Sequence, residues 1–225
     1  MNNQNPYRVL KKQTDWKSLF FYRKTVVLYQ MTVVFCQRFL PQYGDRTVDQ
    51  MVQAARSGKQ NIVEGFADGV TSTEMELKLL NVARASLKEL KEDYEDYLGA
   101  HHLCMWSDGE RFNRMLDYCR NHNVLGDYEP FFARWDDETM ANCAVTLCHM
   151  VDKAMITHME KKERDFVENG GIKERMTAAR LGRRQTQNEE IASLKARVAM
   201  LEKENSALKQ ECLALRQHLA GLDKH

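Results

Sequence analysis

The sequence predicts an all-α protein: an up-down four-helix bundle with a short inserted helix, followed by a C-terminal coiled-coil helix. Three observations carry this expectation. The 225 residues include only three prolines, Pro6, Pro41 and Pro130, so long helices meet few breakers. Apolar residues recur at helical spacing, and no alternating stretch marks a half-buried strand. Past Gly170-Gly171 a leucine heptad runs almost to the C-terminus without a miss.

Helix 1 is expected from about Asp15, a good N-cap residue, to Leu40, with Pro41 and Gly44 ending it. Its polar line Arg23–Gln30–Gln37 is surrounded by Trp16, Leu19, Phe20, Val26, Val27, Val33 and Val34, an apolar surface wider than one neighbouring helix needs. Helix 2 runs from near Thr47 to about Phe66, with Gly69 breaking the chain. Ser72 or Thr73 then caps helix 3, and Glu76 is spaced for a capping box with Thr73. Its core stripe is Leu77, Leu80, Val82, Ala83, Leu87, Leu90, Tyr94 and Leu98. Residues 100–135 form the insert, a short helix and then an aromatic loop with Tyr128, Pro130, Phe131, Phe132 and Trp135. Helix 4 begins near Asp136, where Asp136-Asp137-Glu138 suits a positive helix N-terminus. Its stripe is Ala141, Ala144, Val145, Cys148, Val151, Met155 and Met159. Gly170-Gly171 marks a boundary. The domains are therefore a bundle over 1–169, a basic linker over 170–188 and a coiled coil over 189–225.

In the heptad, Ile191, Val198, Asn205, Cys212 and Leu219 occupy a, and Leu194, Leu201, Leu208, Leu215 and Leu222 occupy d. β-Branched residues at a with leucine at d favour two parallel strands, and one asparagine at a fixes register at some cost in stability. Docking on its own bundle would use the same stripe.

Composition excludes some classes. No stretch approaches eighteen uninterrupted apolar residues, so a membrane span is not expected. The N-terminus lacks the apolar core of a secretion signal. Six cysteines without a CxxC suit reduced thiols in helical settings and a cytoplasmic protein. The net charge of +1 is unevenly spread. Residues 1–62 hold ten Lys/Arg against three Asp/Glu (+7), residues 63–170 twelve against twenty-two (−10), and residues 171–225 eleven against seven (+4). Such segregation suits either defined faces for other macromolecules or solvated helix faces.

Residues 50–65, QMVQAARSGKQNIVEG, and 78–90, KLLNVARASLKEL, carry a resemblance. With the intervening chain, Tyr22–Leu98 resembles the four-helix-bundle proteins encoded within intervening sequences of bacterial 23S rRNA genes. Gln50, Ala54, Ala55, Ser57, Asn61, Ile62, Glu64 and Gly65 match that family's first motif. Leu80, Ala83, Ser86, Leu87, Glu89 and Leu90 match its second, and Phe39-Leu40-Pro41 resembles its helix 1 exit. The family's paired arginines fall on Val52 and Gln53, its Ile-Pro on Gly58-Lys59, and its glycine before Ser86 on Ala85. The same fold is shared by the accessory variability determinant of diversity-generating retroelements, a pentamer that engages a reverse transcriptase and nucleic acid. The segment GGIKERMTAARLGRR resembles the suffix after this bundle in one bacterial subgroup. On residue type alone, Gln50, Ala54, Ser57, Asn61, Glu64, Gly65 and Ser86 are expected to pack the bundle, with Asn61 and Glu64 able to hydrogen-bond across it or cap a neighbouring helix.

Catalytic chemistry is sparse. A di-iron bundle needs Glu-x-x-His on two helices, and the residues three before His101, His102, His122, His149 and His158 are Leu98, Gly99, Cys119, Thr146 and Met155. There is no P-loop, GxGxxG, GxSxG or HExxH. Cys119 and His122 form a lone i, i+3 pair. No cofactor, no metal and no enzymatic activity are expected. The basic stretch before the heptad is similar to basic-leucine-zipper DNA readers. Arg184 matches their arginine, but Met176 replaces the base-reading asparagine and Gly182 is expected to interrupt the basic helix.

The expected function is therefore an oligomeric bundle protein that binds nucleic acid or a ribonucleoprotein partner through basic faces. Candidate contacts are Lys11, Lys12, Lys17, Arg56, Lys59, Arg180, Arg183 and Arg184. The resemblance adds RNA or DNA and a reverse-transcriptase-like enzyme as partners, and the chain itself as a homo-oligomer. The alternative is a protein scaffold whose coiled coil recruits a partner. A five-membered ring and a two-stranded tail conflict, because five tails cannot all pair in twos within one ring.

Overall fold

A computed structural model describes residues 9–10, 14–41 and 46–222, the side chains of 218–222 excepted. Helices dominate, and no strand occurs among the described residues. They are α1 (Phe20–Phe39), α2 (Thr47–Asp68), α3 (Thr73–Ala100), α4 (Gly109–Asn121), α5 (Leu125–Phe132), α6 (Asp137–Asn169) and α7 (Ile172–Leu222). The chain divides into two compact units, Leu10–Ile172 and one built on α7 from Lys173.

In the first unit α1 and α3 each pack on both α2 and α6. Neighbouring helices run antiparallel, as their end-to-end pairings show. Phe21 at the start of α1 stacks on Phe66 at the end of α2 and meets His158 late in α6. Tyr97 near the end of α3 donates to Asp137 at the start of α6, at 3.0 Å. The core includes Val27, Leu28, Met31, Phe35, Met51, Ile62, Leu80, Leu90, Tyr94, Leu147 and Val151, all fully buried.

Helix boundaries follow local chemistry. Asp15 does not start α1 as expected; it precedes a 3-10 turn over Trp16–Ser18, and extended Leu19 leads into the helix. Ser72 caps α3 by accepting from the Met75 amide at 3.2 Å. Thr73 is the first helical residue rather than the cap, and Glu76 is wholly buried. Asp136 caps α6 by accepting from the Thr139 amide at 2.8 Å. Gly170 ends α6 at φ 68°, a backbone conformation that favours glycine. Most of the expected α3 stripe is buried, but Leu77 is only half-buried and Val82 faces solvent. Cys104 lies exposed in the α3–α4 connection rather than on a helix.

The insert differs most from expectation. The aromatic segment is a helix, α5, despite Pro130. Asp127 organises its start by accepting from the Asn123 and Val124 amides at 2.9 and 3.1 Å. Tyr128 and Phe132 bury their rings, and α5 packs on α1 while α4 packs on α6. These extra neighbours explain why α1 is apolar over a wide arc and why α6 is buried on all sides from Met140 to Cys148. The breadth of α1 is thus largely consumed within the chain. Tyr22, Val26, Tyr29 and Val33 remain half-buried along it.

Two cations of α1 fasten the insert. A helix leaves its last carbonyls without intrahelical donors and its C-terminus partly negative. Lys24, fully buried, donates to the Cys119 and His122 carbonyls at the end of α4 and to Tyr128 Oη at 3.1 Å. Burial pulls its ammonium below the ordinary lysine value. Arg38 likewise donates to the Phe132 carbonyl ending α5 and to that of Trp135 at 2.9 Å. Lys24→Met should destabilise the protein by about 2–4 kcal/mol, since it strips buried carbonyls of their donor. Denaturant unfolding measures the loss, and hydrogen exchange should show residues 109–132 opening before the rest.

Candidate functional site

The first motif packs α2 against α3. Ala54 and Ala55 are buried. A Cβ on Gly58 would sit 2.6 Å from Leu87 Cδ2, so only glycine admits this approach without displacing Leu87. Ser57 and Ser86 share a 2.9 Å hydrogen bond between the helices. Asn61 does not reach across the bundle; its amide nitrogen donates to its own helix at the Ser57 carbonyl, 2.9 Å, and to Ser57 Oγ, 3.1 Å. Glu64 is exposed, Gly65 buried and Gln50 exposed.

The bundle's buried acid is Glu76, on the first turn of α3. Lys162 of α6 places Nζ 2.8 Å from Oε1 and donates to Oε2 at 3.1 Å. His158 Nε2 lies 3.7 Å from Oε1. Gly69 lies directly against this carboxylate, where a Cβ would stand 2.4 Å from Oε2. Burial pushes the Glu76 carboxyl up, but His158 and Lys162 outweigh it and hold it below the ordinary value of 4.5. The sequence hint was a charged residue at i−4 from Leu80, in line with the apolar stripe.

Beside the motif lies a groove of about 880 Å³, lined by Tyr29 of α1, Gln50, Gln53, Arg56 and Ser57 of α2, and Glu89 and Asp93 of α3. Its charge is mixed. Burial first, then Asp96, Glu89 and Glu92, push the Asp93 carboxyl up, which marks a negative field along α3. Phosphate would meet that field next to Arg56. Lys59 is half-buried with its ammonium 4.3 Å from the Tyr29 ring centre, and Lys17 is exposed over Trp16 at 5.4 Å. Lys11 and Lys12 fall outside the described residues.

Arg180, Arg183 and Arg184 stand apart from these. All three are exposed on α7, at spacings that put them on one side of the helix. No acidic residue occurs between Glu174 and Glu189. The helix runs without a break through Gly182, correcting the expected interruption, and the expected linker over 170–188 is helical from Ile172. A single helical glycine costs only about 1 kcal/mol, too little to break a helix of this length. Further along α7, Ile191, Leu194, Val198, Leu201, Leu208 and Leu215 are 49–58% exposed, and Asn205 and Cys212 are exposed with them. The Leu219 side chain is not among those described.

Catalytic groupings are weak. His122 stacks on Tyr118 with centroids 4.1 Å apart, while Cys119 faces Cys143 across 3.8 Å between sulfurs. Among the described residues no group of three His, Cys, Asp or Glu side chains could hold a metal ion. No described helix is long and apolar enough to cross a membrane. Comparison of the chain with family models, curated proteins and solved structures gave no match.

Glu76→Gln tests the buried cluster. With its pKa depressed in the folded state, Glu76 contributes stability that is full above the unfolded value of about 4.5 and is lost as pH falls through the lower folded value. The variant should lose about 2 kcal/mol at pH 7, because Lys162 keeps some solvent. Its stability should also fall less steeply than that of the parent below pH 4.5, as read by denaturant midpoints across pH.

Proposed function

We propose that this chain is a non-enzymatic, oligomeric bundle protein that binds nucleic acid or a ribonucleoprotein partner through the basic stretch of α7. The observation that carries this reading is the exposed Arg180, Arg183 and Arg184 cluster on a continuous helix, with no acid interleaved. Arginines so placed attract phosphate and release its counterions. The resemblance of the two bundle motifs to rRNA intervening-sequence proteins points the same way. Arg56 and Lys59 become secondary contacts in this reading, because Asp93 and Glu89 flank one and Tyr29 covers the other. The bundle serves as the carrier, and its small-residue motif serves packing.

A protein scaffold is the second reading. It is favoured by the acidic α3 face and by the apolar stripe of α7, both suited to protein surfaces. Salt separates the two, since phosphate binding falls steeply with salt. Reversing Arg180, Arg183 and Arg184 to Glu should weaken RNA binding by the full-length chain. The slope of log affinity against log salt should flatten by roughly 2–3, about 0.7–0.9 for each phosphate no longer neutralised. Unchanged affinity and slope would remove α7 from the binding site and favour the scaffold.

A further inference from the structure

We infer that α7, from Ile191 onward, pairs with α7 of a second copy of this chain, parallel and in register. This rests on α7 being an assembly helix, which both readings above share, and it goes beyond them by naming the occupant and its orientation. The apolar stripe is continuous and solvent-facing from Ile191 to Leu215. Such a stripe calls for a partner helix with the same heptad.

The flanking charges select that partner. In a parallel pair, each g residue meets the e residue five positions later on the other strand. For two copies of this chain those meetings are Glu190 with Lys195, Arg197 with Glu202, Glu204 with Lys209, and Glu211 with Arg216. All four are attractive. An antiparallel pair instead sets g against g and e against e. With full overlap, Glu204 then faces Glu211 and Lys195 faces Arg216. Asn205 adds a second constraint. Only the parallel, in-register pair sets it opposite itself, where two amides satisfy each other; an antiparallel pair sets a against d and buries it on leucine.

The seam also has a defined upper end. Continuing the heptad toward the N-terminus puts Gln187, Arg184, Arg180 and Thr177 on the a and d line. Two arginines at each layer would face their own copies, so the strands part above Ile191. The fork then carries Arg180 and Arg184 of both copies on facing sides. Pairing therefore doubles the basic surface assigned above to phosphate.

Two full-length triple variants test self-pairing: E190K/E204K/E211K and K195E/K209E/R216E. Each alone opposes like charges at three of the four meetings on both sides of the seam. Its dimerisation should weaken at least about tenfold. Mixed in equal amounts the two should restore a heterodimer, which also shows that neither has simply unfolded. Orientation is read with a short bismaleimide of about 8 Å span on the Cys104→Ser chain. Each Cys212 thiol adds across one maleimide double bond, its sulfur bonding one carbon and its proton passing to the other. Parallel, in-register strands hold the two Cys212 side by side. Antiparallel strands separate them by about 16 Å along the axis, given 1.5 Å per residue. A covalent dimer that disappears in Cys212→Ser is expected. Variants that remain as dimeric as the parent, a mixture no tighter than its components, or a dimer that Cys212 never links would each overturn the inference. RNA binding, measured separately by its salt slope, can fail or hold whichever result appears.

Discussion

The close approach of α2 and α3 is the constraint on which the bundle depends. With Ala54, Ala55 and Gly58 on one side, the helices come near enough for Ser57 and Ser86 to bond directly. Leu87 fills the space that any side chain at position 58 would take. The short α2–α3 connection then tucks the start of α3 under the bundle and buries the Glu76 carboxylate. A buried carboxylate without partners would be prohibitive, so Lys162 and His158 of α6 close over it. The tight helix pair thereby presents the acid that α6 meets.

The insert is held by the complementary device. Short helices such as α4 and α5 are marginal alone, and their terminal carbonyls need donors. Lys24 supplies them from within the core and the exposed Arg38 from the end of α1, and Tyr128 packs against the lysine at the centre of the arrangement. The bundle is thus locked at one end by a buried anion and beside the insert by a buried lysine and an exposed arginine. Lys24 and Glu76 are wholly buried and are poor candidates for contact with a ligand.

Function is drawn to the other unit. The bundle buries its distinctive motifs in packing, and its large groove carries opposed charges. On α7 the basic run and the heptad follow one another on a single helix, with Arg180, Arg183, Arg184 and the stripe from Ile191 to Leu215 exposed. In the proposed reading, phosphate attraction and self-pairing belong to adjacent segments. On that proposal, the bundle gathers copies through this helix and displays their arginines together.

The elements that periodicity and punctuation control were legible in the sequence. α2, α3 and α6 follow from their apolar spacing, their ends from Ser72, Asp136 and Gly170, and the apolar stripe of α7 from its heptad positions. These depend on residues a few places apart, so local pattern carries them. Tertiary structure alone decided the rest. Glu76 could have capped its own helix, and only the position of α6 turned it into a buried ion cluster. The residues around Pro130 read as a loop until Lys24 and Arg38, roughly a hundred residues earlier, met the carbonyls that needed them. Gly69, expected to break the chain, is needed because a carboxylate seven residues later folds back onto it. In each case the deciding partner lies outside any local period, and no such period encodes it.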